Sequence, residues 1–168
     1  MDNRETRCAP SPANASRVTV ADTLGSLCDK LTIVKLKQWH SDDPVRIDDL
    51  CAQEIMLRNE IDEFAAAALC GALAPEKLTF SSNKVYKMEG NAILPIDGSF
   101  GEIFAQLAEV NCTLWHEQEK VYEFEKVPVQ EKDRVVKQLA LLNLRRNQCI
   151  DQIDKRLRAL VEELHGRA

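Results

Sequence analysis

The stretch from Val129 to Leu164 constrains this chain more than any other. Within it, Val135, Leu139, Leu142, Cys149, Ile153, Leu157, Leu160 and Leu164 recur at steps built from three and four residues. That spacing predicts one apolar stripe along a single long amphipathic helix. One position of the stripe is Arg146, a permanent charge where an aliphatic side chain belongs. A stripe of this length must be buried against other helices, so the rest of the chain is read for its partners.

The 168 residues suffice for one domain with a substantial core, and 45% hydrophobic with 29% charged residues is an ordinary globular composition. A formal net charge of −5 argues against nucleic acid as a partner, because phosphate binding needs a basic surface. No stretch is long and apolar enough for membrane insertion, and the N-terminal residues contain no apolar signal region. Cys8, Cys28, Cys51, Cys70, Cys112 and Cys149 are scattered singly, without a C-x-x-C pair. Cys28, Cys51, Cys112 and Cys149 read as small buried hydrophobes in a reducing, cytoplasmic setting.

Residues 1–17 are polar and proline-containing and read as a disordered tail. Residues 18–168 read as a single helical domain. Hairpin one spans 21–70. Its first helix, capped by Asp22 or Thr23, carries Leu24, Leu27, Leu31, Val34 and Gln38, widened by Cys28 and Trp39. Its second carries Ile47, Leu50, Glu54, Leu57, Ile61, Phe64 and Ala68, and ends at Gly71. A crossover over 71–99 follows, in which Lys77-Leu78-Thr79-Phe80 and Lys84-Val85-Tyr86-Lys87-Met88 could pair as a short β-ribbon. Hairpin two spans 100–165. Its first helix carries Phe100, Ile103, Leu107, Val110, Leu114, Glu117, Val121 and Phe124, and Val127-Pro128 separates it from the long helix.

The two hairpins resemble each other. A shift of 76 positions lays Leu24-Gly25 on Phe100-Gly101 and Trp39-His40 on Trp115-His116; a shift of 92 lays Leu50 on Leu142 and Glu54 on Arg146. The predicted fold is therefore an all-α four-helix bundle made of two duplicated hairpins, the second longer by about two helical turns per arm. The extra length, 117–135, includes Val121, Tyr122 and Phe124, and suggests a homodimer contact.

Glu54 and Arg146 fall at one height when the two hairpin turns are taken as mirror points, and are predicted to pair, since an unpaired buried charge costs several kcal/mol. Two readings stand: a structural ion pair, or the floor of a pocket in which Arg146 holds an anionic group such as a sugar nucleotide. A second polar face, with Asp29, Lys37 and His40, lies opposite the stripe of the first helix; His116 occupies the matching place in the third. The Glu-x-x-His pairs of di-iron bundles are absent, so no metal or cofactor is predicted. Glu60/Glu63 and Asp151/Asp154 are similar to the paired carboxylates of all-α nucleotide pyrophosphohydrolases, but such spacing is common on solvated helices.

The segment Leu27-Cys28-Asp29-Lys30-Leu31-Thr32-Ile33 through Trp39-His40, followed by Leu144-Arg145-Arg146-Asn147 and Ile150-Asp151, resembles an uncharacterised bacterial α-helical domain-of-unknown-function family. The resemblance marks Asp29, Lys30, Lys37, His40, Arg146 and Asn147 as recurrent polar positions. Its genes often neighbour glycosyltransferases, which implies a protein partner in surface-polysaccharide synthesis and supplies no reaction. The leading expectation is a non-catalytic accessory protein; the alternative is a small-molecule binder or enzyme at Glu54 and Arg146.

Overall fold

The computed structural model describes residues 21–80, 83 and 95–166. The expected tail over 1–17 and the Lys84–Met88 half of the expected ribbon lie outside them. Four helices form an all-α bundle: α1 Leu24–Trp39, α2 Pro44–Leu69, α3 Phe100–Tyr122 and α4 Val129–Gly166. No strand occurs among the described residues. The other half of the expected ribbon begins in a 3-10 turn at Pro75–Lys77, and Leu78 then inserts fully into the core.

Local chemistry sets the helix ends. The Thr23 hydroxyl accepts the Ser26 amide at 3.3 Å and caps α1. Asp43 caps α2, with Pro44 in the first turn, where a missing N–H costs nothing. Gly71, at φ 76°, closes α2: its own amide donates to Ala68 and that of Ala72 to Ala67, satisfying two orphan carbonyls. Ser99 and Glu102 form a reciprocal capping box at the start of α3.

α1 packs against α2, α3 and α4, while α3 runs along α4 and α2 barely touches α4. The main core joins Leu27, Val34, Leu57, Phe64, Ile103, Leu107, Ile153 and Val161. A smaller cluster of Val110, Leu114 and Leu142 continues it toward the α3–α4 turn. The predicted stripes of α2 and α3 face inward throughout. Three expectations are corrected. Leu160 and Leu164 are half exposed, and Val161, one turn after Leu157, is buried in the main core in their place. Trp39, expected to widen the α1 stripe, is 85% exposed beside the turn. Cys51 and Cys112 are exposed; Cys28 and Cys149 are buried.

Candidate functional site

The charge on α4 meets a carboxylate on α1. Arg146 presents its guanidinium side-on to Asp29: Nε donates to Oδ1 at 2.7 Å and Nη2 to Oδ2. Asn111, on α3 and fully buried, donates through Nδ2 to the same Oδ1 at 2.9 Å and to the Thr32 hydroxyl at 2.7 Å. Thr32 in turn donates to the Asp29 carbonyl at 2.8 Å. Three helices thus converge on one carboxylate. The hydrogen bonds to Asp29 push the Arg146 guanidinium above its ordinary value, against the opposing effect of burial. The Asn111 Oδ1 is buried without a hydrogen-bond partner.

The expected pairing of Glu54 with Arg146 does not form. Glu54 accepts hydrogen bonds from Gln38 at 3.0 Å and Lys35 at 3.1 Å, and Arg58 approaches to 4.0 Å. The bond from Gln38, then that from Lys35, lowers its carboxyl below the usual range. The reason is the layout of the bundle: α1 lies between α2 and α4, so each charge meets α1 before it can reach the other. The same layout overturns the placing of Asp29 on a far face, since α1 is covered on more than one side.

At the turn end of the molecule, the two Trp-His pairs come together in part. The His40 ring stacks on Trp115 with centroids 4.9 Å apart, and meets His116 edge-on at 6.0 Å. Glu119 accepts from Trp115 Nε1 at 2.9 Å and lies 3.3 Å from His116 Nδ1. The contact with His116, first, lowers its carboxyl. Trp39 takes no part in these ring contacts. Lys37 and Asn147 are half buried, and neither bonds to Asp29 or Arg146.

A groove of about 440 Å³ lies elsewhere, between the outer flank of α4 and the start of the crossover. Phe80, Asn83, Asp151, Asp154, Lys155 and Arg158 help to line it. Asp154 is buried at its floor and accepts the Gly25 amide at 2.7 Å. Burial pushes its carboxyl up to about 6, against the hydrogen bonds from Thr23 and Gly25. Asn83 donates to Asp151 at 2.6 Å. Glu60 and Glu63 stand exposed on α2 and do not line this groove, so the two carboxylate pairs are not one site. Among the described residues, no three His, Cys, Asp or Glu side chains converge on a metal-sized space.

Compared with known proteins, the chain matches no family model, no curated protein and no solved structure. The function is therefore argued from these residues. Two of them escaped the sequence reading as core groups. Asn111 had a signal, a polar side chain four residues after Leu107 and next to Val110. Asp154 had a similar one, next to the stripe residue Ile153.

Proposed function

We propose that the chain is a non-catalytic helical interaction protein that acts as a homodimer in the cytoplasm. The observation that carries the reading is the side-on closure of Arg146 on Asp29, backed by Asn111. The one charge in the α4 stripe is thereby committed to holding α1, α3 and α4 in register. Glu54 lies apart from it, so a pocket founded on those two residues has no support. The extended hairpin supplies the contact surface. Tyr122 is 76% and Val129 78% exposed, and Val136 is also exposed, near the end that carries Trp39 and His40. Exposed apolar side chains grouped at one end are the usual material of an interface. On this reading the two hairpins descend from one duplicated hairpin, and the longer second one gained a surface for self-association. The bacterial resemblance adds the setting: an accessory role in surface-polysaccharide synthesis, beside a protein partner.

Light scattering on the purified chain tests the central claim. A dimer is expected at micromolar concentration, and Tyr122→Glu combined with Val129→Glu should yield a folded monomer. A wild-type chain that stays monomeric at such concentrations sinks the proposal.

A further inference from the structure

We propose that His40 is a pH-operated latch: its imidazolium form fastens the turn of hairpin one to Trp115 and Glu119 of α3, and its neutral form lets that turn loosen. The starting point is the repeated Trp-His pair, of which three rings and a nearby carboxylate meet at one place. His40 is the residue at which α1 ends. Its ring lies nearly parallel to the Trp115 indole, at 18°, with centroids 4.9 Å apart. The indole is held for this contact by Glu119, which accepts from its Nε1 at 2.9 Å. Glu119 also lies 3.3 Å from His116 Nδ1, and that contact above all keeps its carboxyl below the usual range. A negative charge therefore stands beside the rings throughout the pH range in which histidine changes charge.

A proton can drive the turn only through interactions that differ between its closed and loosened positions. Two do. An aromatic face attracts a cation, and the stack puts the His40 ring over the Trp115 face. Glu119 is close enough to His40 for the two charges to attract. Both are lost when the turn leaves α3. The other charges nearby travel with the turn: Lys37 one helical turn earlier on α1, Asp42 and Asp43 after it, and Arg46 at the start of α2. The carbonyl end of α1 travels with it as well. On α3, Lys120 is held by Glu117 at 2.5 Å and Glu123 by Lys126 at 2.8 Å, while Cys112 and Tyr122 add no positive charge. His116 meets His40 at 6.0 Å, but its Nδ1 edge is turned to Glu119, which offsets its charge when it too is protonated. The turn is free to respond because hairpin one reaches hairpin two through α1, with little contact from α2. The core next to Trp115 is the small cluster of Val110, Leu114 and Leu142. Trp39 precedes His40 and is 85% exposed, so the latch also fixes the position of an indole open to partners.

Two measurements on the full-length chain test the latch, which acts within one chain and does not depend on self-association. The chain has two tryptophans, so Trp39→Phe leaves Trp115 as the single emitter. Its fluorescence should fall as pH is lowered from about 8 to about 5.5, because an imidazolium against an indole quenches it. His40→Gln in that background should abolish the fall, and His116→Gln should keep it. Amide hydrogen exchange then reads the turn itself, at the residue-40 amide, bonded to the Leu36 carbonyl at 3.0 Å, and the Ile47 amide, bonded to that of Asp43 at 2.9 Å. After correction for the intrinsic pH dependence of exchange, protection of both should be about threefold greater at the acidic end in the wild type. It should not depend on pH in His40→Gln or Trp115→Leu. Equal protection at both ends of the range in the wild type overturns the latch. So does a pH-dependent protection or emission change that survives His40→Gln, or an emission change removed by His116→Gln alone.

Discussion

Asp29 accepts three hydrogen bonds from two helices, so its neighbours are best weighed by what their loss leaves behind. Replacing Arg146 with Met strands a buried carboxylate and should cost about 3 kcal/mol, read from urea unfolding. The companion double variant, Asp29→Leu with Arg146→Met, should recover most of that loss, because two apolar side chains leave no charge unpaired. Asp154 makes a different prediction, in pH. Its carboxyl rises from 3.8 to about 6 on folding. The folded state then holds its proton more tightly than the unfolded chain between those values, so this group's contribution is fully present below pH 3.8 and is lost as pH rises through 6. The difference in unfolding free energy between Asp154→Asn and wild type should grow across that window by about 3 kcal/mol in favour of the variant. A flat difference would show that Asp154 titrates alike in both states. Arg146 was legible in the sequence because a charge interrupts an apolar period. Its partner was not, since Asp29 lies outside the stripe that the period of α1 defines.

At the level of the helices, α1 decides the arrangement. It is the shortest of the four, yet it touches the other three. Gly25 makes this possible near its N-terminus: a Cβ there would stand 2.4 Å from the Ile150 carbonyl oxygen and 3.0 Å from Asp154 Oδ1. Backbone cannot yield as a side-chain tip can, so Gly25→Ala must push α1 off α4. A loss of about 2 kcal/mol is expected by thermal or urea unfolding, with the Gly25–Asp154 hydrogen bond weakened. Gly101, at the start of α3, has open space at the same atom. Gly101→Ala should therefore be neutral or stabilising by about 1 kcal/mol through helix propensity. A Gly25→Ala chain as stable as wild type would mean that this approach is looser than drawn. The two glycines occupy matching places in the two hairpins, and no local pattern distinguishes them; the difference is a neighbouring carbonyl supplied by a helix 125 residues further on.

Across the whole molecule, burial sorts the thiols. Cys28 and Cys149 lie in the core, where desolvation pushes their thiols up to about 12 and about 11. Cys51, Cys70 and Cys112 are exposed. Under native conditions iodoacetamide should modify those three readily, with Cys28 and Cys149 labelled only at the rate of global unfolding, as mass spectrometry of the digested chain would resolve. Fast labelling of Cys149 would place a local opening between α1 and α4. By itself the sequence determined the class of the fold, the inward faces of α2 and α3, a cap for α1 at Asp22 or Thr23, the close of α2 at Gly71, and the presence of a charge inside the α4 stripe. Each follows from interactions within a few residues: helical period, capping geometry, and the cost of burying a charge. Tertiary structure alone decided that α1 lies at the centre, that Arg146 meets Asp29 while Glu54 meets Lys35 and Gln38, and that Asp154 becomes the floor of a groove. Those outcomes depend on which faces of four helices come together, and side chains far apart in the chain compete for the same partner only once the helices are packed.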